Sequence, residues 1–456
     1  MLFNSLEFIY GFLPITFGLF YLAAKFRLLK LCTIILLVAS LFFYAYWNFF
    51  YFFLILFKIV TNYGLSLALE KHRSKWILWF SIIFNIGMLC YFKYLNFFIS
   101  IFNPNMGFIV NAAIPLGISF YTFTQIAYMI DIYQGKSRLY GLRLYSLFVV
   151  FFPHLIAGPI IHYSQIMPQF QRIKTYIFTH RNFILGVFFF LIGLFQKVVI
   201  ADFLSPIADT GFLNASLLTL VEAWSALLAY ALQIYFDFAG YSNMAIGLGL
   251  LFNIRFPNNF NSPYQATSLI DFWRRWHMTL TQFLRDYIYV PLGGNRLGPL
   301  RKYLNILITM FIAGVWHGAG WTFMVWGIYH GVLVSVNHAL EDVGVCVSKI
   351  IGRVTTFIFV LYGWVFFRSA TMSQATSMTK GLLGLNGWQQ SETYFLWKYQ
   401  FIGIVVALAI ALFLPNTEFW SKKIRPNLRW GFLFLILLCV DLLYLNRESA
   451  FLYFQF

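Results

Sequence analysis

Long apolar runs broken by short basic loops dominate this chain. Runs of roughly 20 apolar residues, the length that crosses a bilayer as a helix, lie near 8–24, 31–48, 50–69, 76–97, 111–133, 183–203 and 219–236. Further runs lie near 303–333, 351–367, 396–414 and 430–446. The alternation of a membrane β-barrel is absent. The pattern predicts an all-α, polytopic membrane protein of about eleven spanning helices, with some segments broken or re-entrant, forming a single domain over residues 1–456.

Three stretches depart from plain spanning helix. "FFPHLIAGPIIHY" (Phe151–Tyr163) puts Pro153, Gly158 and Pro159 inside one apolar run. Proline removes a backbone donor, and broken backbone persists at membrane depth only where protein or a water-filled cavity covers it, so this stretch reads as re-entrant. "QIYFDFAGYSNMAIGLG" (Gln233–Gly249) sets Asp237 and a Gly-Tyr-Ser-Asn turn in an apolar setting. In "LIDFWRRWHMTLTQFLRDYIYVPLGG" (Leu269–Gly294), one helix would place Trp273, Trp276, Leu280, Leu284 and Tyr287 on one face. Asp271, Arg274, Arg275, Gln282, Arg285 and Asp286 fall opposite, the split of an interfacial amphipathic helix. His277 lies at the edge of the apolar face, and Pro291 with Gly293–Gly294 ends the helix.

Composition agrees. Of 456 residues 61% are hydrophobic and 10% charged, against about 25% charged in a soluble domain. The net charge of +17 does not point to nucleic acid. Its basic residues sit in short loops beside the spans (Lys25–Lys30, Lys71–Lys75, Lys136–Arg143, Arg172–Arg181, Arg296–Lys302, Lys422–Arg429), as the positive-inside rule requires. Cytoplasmic placement of these loops puts both chain ends outside, provided the 303–333 run enters and returns on one side. Glu7 precedes the first run and the basic residues follow it, so that run reads as a span and not a signal peptide. Four scattered cysteines with no CxxC suggest neither a disulfide framework nor a zinc site.

The candidate chemistry rests on two histidines. "GVWHGAGWTF" (Gly314–Phe323) holds His317 between tryptophans and glycines, and His277 sits in the amphipathic stretch. Each has a plain reading, His317 as a packing residue beside Gly318 and His277 as an inert interfacial ring. The alternative is that polar groups inside membranes are costly and usually belong to functional cavities, and a desolvated imidazole stays neutral and suits general-base work. Gly314, Gly318 and Gly320 permit close backbone approach, consistent with a narrow channel around the ring. Asp237 either pairs with a neighbouring donor to brace the bundle or marks a functional site. Arg274, Arg275 and Arg285 either face lipid headgroups or attract the phosphates of a carrier such as coenzyme A. His330 and His338 raise a metal site, but neither the spacing nor acidic ligands support one. A Gly-x-Ser-x-Gly elbow, a phosphate loop and a dinucleotide fingerprint are missing.

"DFWRRWHMTLTQFLRDYIYVPLGG" followed by "GVWHGAGWTFMVWGIYHG" resembles the membrane-bound O-acyltransferase family, in its bacterial polysaccharide-acetylating branch. "FPHLIAGPI", "QKVVIAD" and "YFDFAGYSNMAIGLG" extend the resemblance over nearly the whole chain. Asn243 stands where that branch often has Asp, and His162 where it often has Arg. The resemblance implies a ring of helices in the inner membrane around a central tunnel, with His317 as the catalytic imidazole and His277 as its second motif residue. Asp237, Trp316 and Gly318 would shape the tunnel, and Arg274, Arg275 and Arg285 would meet the donor. It further implies acetyl-CoA as cytosolic donor, no bound cofactor or metal, and a cell-envelope polysaccharide as final acceptor, peptidoglycan being preferred over alginate. An SGNH-type periplasmic O-acetyltransferase is the implied partner. The rival readings are D-alanyl transfer to teichoic acid and a transporter without enzymatic activity.

Residues 447–456 form an expected extracytoplasmic tail ending in "FLYFQF" (Phe451–Phe456). Alone, this stretch reads as an interfacial aromatic anchor. The resembling branch ends in such aromatic-Tyr-aromatic tails, which implies that Tyr453 carries the acetyl group as a phenolic ester between donor and partner.

Overall fold

A computed structural model describes residues 1–103, 114–388, 398–445 and 451–452. Every regular element in it is helical. Among the described residues seven helices are long and apolar enough to cross a membrane: Glu7–Lys25, Leu29–Trp47, Phe49–His72, Lys75–Lys93, His180–Leu213, Trp321–Asp342 and Lys349–Arg368. The other expected spans take shorter or different forms. Helix Ile118–Tyr133 covers part of the run at 111–133, and the two runs after residue 390 give Lys398–Phe413 and Leu428–Tyr444.

The chain divides into two compact units, residues 1–194 with 241–258 and 423–446, and residues 195–240 with 259–422 and 447–456. In the first, Phe3, Phe8, Phe12, Phe43 and Phe152 stack into an aromatic core. Some of the polar groups inside it pair with one another. Lys58 Nζ donates to Thr122 Oγ1 at 2.7 Å, and Asn62 Nδ2 donates to Gln125 Oε1 at 2.8 Å. The proline-bearing stretch from Phe151 to Ile161 is wholly buried and forms only the short helix Phe152–Leu155.

Two expectations are corrected. Helix Leu220–Leu251 runs unbroken through Gly240–Asn243, where a turn was expected. Residues 226–242 are almost entirely buried, so backbone groups freed by a turn would find no water, and the helix satisfies them internally. The stretch from Leu269 to Gly294 is not one helix. It is Leu269–Trp273, Met278–Leu284 and a π-helical turn Arg285–Tyr289, with a break at 274–277. The break has a partner in the second unit. Asn261 N–H donates to Arg275 O at 2.9 Å, and Met278 N–H donates to Asn259 O at 2.9 Å. These bonds from 259–261 compete with the helical ladder and replace it. Of the expected faces, Trp273, Trp276, Leu280 and Leu284 are buried and Tyr287 half-buried, while Arg274, Gln282 and Arg285 are exposed and Asp271, Arg275 and Asp286 half-buried.

The 303–333 run is a helical hairpin, Pro299–His317 and Trp321–Asp342, turned at Gly318–Gly320. A methyl group on Gly314 would strike the backbone at Phe323 and Gly327, and one on Gly318 would strike the Phe323 ring. These glycines therefore bring the two arms of the hairpin together. The close backbone approach expected of Gly314 is thus made between the two arms of the hairpin.

Candidate functional site

His317 is the last residue of its helix, where the chain must leave the helical path at Gly318. His317 is 4% exposed. Trp316, Trp326 and Phe367 wall it at centroid distances of 4.8, 5.1 and 4.9 Å, all nearly edge to face. The box comes from three helices that the sequence separates widely: the two hairpin arms and Lys349–Arg368. Trp364 backs Trp326 at 6.3 Å and Phe367 at 5.3 Å. His330, fully buried, lies against the other side of the box, 4.9 Å from Trp326 and 5.2 Å from Trp273.

His277 occupies the break itself, with φ 41° and ψ 54°. A non-glycine residue in the left-handed region costs of order 1 kcal/mol and persists only where its surroundings hold it. Asn259 is what holds it. Asn259 Oδ1 lies 3.0 Å from His277 Nδ1 and also accepts from Thr279 N–H at 3.4 Å and Thr279 Oγ1 at 3.0 Å. Because a backbone N–H can only donate, this atom is the acceptor, and His277 Nδ1 must carry the proton. A neutral imidazole protonated at Nδ1 has its acceptor pair on Nε2. Burial pushes the ring's pKa down to about 3, because a desolvated imidazolium is disfavoured. Phe238 packs edge-on at 4.7 Å, and the Trp316 ring lies 6.3 Å away. The same indole thus touches His317 and stands beside His277.

The remaining candidate residues separate. Arg275 is engaged with Asp271 at 2.8 Å, one helical turn away, and Arg285 with Asp286 at 2.8 Å. Arg274 is exposed. Asp237 lies in a buried ion cluster, its Oδ1 2.6 Å from Lys197 Nζ, while Asp202 Oδ1 lies 2.9 Å from the same nitrogen. A π-helical turn over Gln196–Ala201 makes that geometry, with Asp202 N–H donating to Lys197 O. Its i→i+5 period stacks two residues five apart on one face. Tyr453 lies outside the described residues. Among those described, no three His, Cys, Asp or Glu side chains stand close enough to share a metal ion.

Sequence reasoning missed Asn259, Trp326, Phe367 and the Lys197–Asp202 pair. The last had a signal: a lysine and an aspartate in one apolar run, five apart, which an α-helix would splay and a π-turn aligns.

Comparison with known proteins identifies the family. Residues 33–376 match the family described as MBOAT, membrane-bound O-acyltransferase family. The chain is 43% identical over 425 residues to the peptidoglycan O-acetyltransferase of Helicobacter pylori, covering 85% of this chain and 80% of that one. It is 37% identical over 446 residues to the "Probable alginate O-acetylase AlgI" of Pseudomonas aeruginosa, covering 94% and 84%. A teichoic acid D-alanyltransferase of Streptococcus thermophilus is more distant, 26% identical over 362 residues, covering 74% and 83%. The chain belongs to the membrane-bound O-acyltransferase family, and is a multi-pass acyltransferase of the inner membrane in the part of that family close to bacterial polysaccharide O-acetyltransferases.

Proposed function

We propose that the protein moves acetyl groups from cytosolic acetyl-CoA across the membrane for O-acetylation of a cell-envelope polysaccharide, with peptidoglycan preferred over alginate. The observation that carries this reading is the placement of two buried histidines against one indole, Trp316. His317, buried in an aromatic box, is suited to take a proton from an attacking hydroxyl. The hydroxyl oxygen forms a bond to the thioester carbonyl carbon, the carbon–sulfur bond breaks, and the proton held by His317 passes to the departing thiolate of coenzyme A. His277 is assigned the donor side. With its proton committed to Asn259 it has no ring N–H for a carbonyl oxygen, so it acts through its Nε2 acceptor pair. The amide N–H groups of the pantetheine arm are what an acceptor can position.

The attacking hydroxyl in this scheme is that of Tyr453. Its acetyl ester is then taken up at a periplasmic SGNH-type transferase, where the acetyl passes to a hydroxyl of the polysaccharide and the released phenol restores Tyr453. A phenol has a pKa of about 10 and leaves more readily than an alcohol, so the ester stays reactive. Arg274, Arg275 and Arg285 offer positive charge to the phosphates of the donor. The lower identity to D-alanyltransferases favours acetyl over D-alanyl transfer. The test is radiolabelled acetyl-CoA given to membranes without the partner. The wild-type chain should acquire label on the peptide bearing Tyr453, and Tyr453→Phe should acquire none and fail to acetylate the polymer. Normal polymer acetylation by Tyr453→Phe would end the relay.

A further inference from the structure

Outside the histidine site, the second unit buries three charges together. Lys197, Asp202 and Asp237 side chains are 2%, 5% and 3% exposed, and the ammonium touches both carboxylates. One lysine neutralises only one of the two carboxylate charges, and each carboxylate keeps a second oxygen that the ammonium contacts do not use. Removing charge from water is expensive unless the remaining lone pairs find donors. One of those oxygens is used by a segment far away in sequence. Asp237 Oδ2 accepts the main-chain N–H of Leu452 at 3.1 Å, while the Phe451 ring lies over Lys197 Nζ, 4.8 Å from ring centre to nitrogen. Phe451 and Leu452 are 1% and 6% exposed.

We propose that the Lys197–Asp202–Asp237 cluster is a receptor for the 451–452 segment, in which Asp237 positions the main chain and Lys197 holds the aromatic ring. Each contact has a separate chemical logic. A carboxylate accepting a backbone N–H is a charge-assisted bond that fixes the chain without reading its side chain. An ammonium under a ring face selects an aromatic residue at the preceding position. The second aspartate keeps Lys197 paired while Asp237 shares its charge with the incoming N–H. A simple brace between helices needs only one carboxylate. The consequence for catalysis rests on the Tyr453 relay reading: consecutive Cα atoms are about 3.8 Å apart, so the anchor at Leu452 sets where the next residue begins. Asp237 is thus a positioning residue, and its failure is separable from failure of the relay.

The test uses the purified full chain in detergent, with the four native cysteines replaced by alanine and Ala450→Cys as a reporter of segment release. Leu452→Pro deletes the N–H and leaves the cluster untouched, and Asp237→Asn removes one carboxylate oxygen. Both should raise the rate of maleimide labelling at the reporter about ten-fold or more. Leu452→Ala keeps the N–H and should raise it less than three-fold. Labelling of Leu452→Pro and Asp237→Asn at the parent rate would overturn the receptor, even if Asp237→Asn lowers Tm as a mere brace would. The relay is read separately from polymer acetylation. Fast labelling with acetylation lost supports receptor and relay together, and fast labelling with normal acetylation keeps the receptor and ends the relay.

Discussion

The second unit buries polar chemistry in two opposite ways. Around His317 the walls are Trp316, Trp326 and Phe367, aromatic rings that bring no charge. Around Lys197 the neighbours include two carboxylates, one of which also accepts the backbone N–H of residue 452. A neutral imidazole needs no counter-ion among such rings, and a general base needs a neutral imidazole. A lysine in the same interior can stay charged only if opposite charge is built around it. The histidine site should therefore be dispensable for folding, whereas the ion cluster should not tolerate loss of its cation alone.

The sharpest way to break this comparison is to remove His317. His317→Ala should lower acetyl transfer by about 10²- to 10⁴-fold, the range for loss of a general base, while membrane level and Tm stay near wild type. Assay of polymer acetate beside quantitative immunoblotting reads both. A variant that keeps its activity, or that disappears from the membrane, would collapse the distinction between the two regions.

Lys197→Met is the mirror experiment. It leaves two carboxylates facing each other without a cation, and breaking a buried pair from one side costs about 3–5 kcal/mol. Against a total stability of roughly 5–15 kcal/mol, little folded protein should remain in the membrane. Lys197→Met combined with Asp202→Asn and Asp237→Asn removes all the charge and should recover much of the level. If the single variant accumulates normally, the ion cluster is not holding the unit together.

How much of this was legible in the sequence follows the same line. Apolar runs declare helices because bilayer length is a strong, local constraint, and Leu29–Trp47 and Phe49–His72 lie close to where their runs predict. Single-residue departures are local too, so His277, His317 and Asp237 stood out at once. What stayed hidden depends on partners far along the chain. Asn259 breaks the expected helix at 274–277 from 18 residues away in sequence, and Phe367 joins the histidine box from another helix. Leu452 reaches Asp237 across 215 residues. A helical wheel carries no record of such pairings. The turn expected at Gly240–Asn243 failed for the converse reason: glycine, serine and asparagine signal turns in water, and here burial on all sides keeps the helix.

Within the histidine site, Asn259 tests whether the second ring is merely buried or is also oriented. Asn259→Ala removes the acceptor that fixes the Nδ1–H tautomer and the left-handed backbone at His277. Truncating a buried hydrogen-bond partner costs about 1–3 kcal/mol. If about half of that appears in donor positioning, the KM for acetyl-CoA should rise several-fold with a smaller change in kcat. The pH dependence gives an independent check. The His277 pKa of about 3 is below the unfolded value near 6.5. Between these values the unfolded chain binds the extra proton, so stability is present above about pH 6.5 and is lost as pH falls toward 3. The Tm of wild type in detergent should fall over that window, and His277→Asn should fall less. Parallel curves would mean that the ring is not held neutral by burial.

The smallest expected effect concerns the arginines beside the break. Arg275 is paired with Asp271 and Arg285 with Asp286, all on the partly exposed polar face. Surface pairs of this kind contribute about 0–1 kcal/mol, so Arg275→Ala and Arg285→Ala should leave Tm nearly unchanged. If the guanidinium groups serve the donor's phosphates, the same variants should raise the KM for acetyl-CoA a few-fold, and the increase should shrink as salt rises because exposed charges are screened. Substrates separate this from a packing effect. An acetyl-pantetheine donor lacks the nucleotide phosphates, so its KM should be unchanged by either substitution, whereas a distorted site would weaken both donors equally. Equal weakening would remove the arginines from donor binding and leave them as the solvated rim of a buried site.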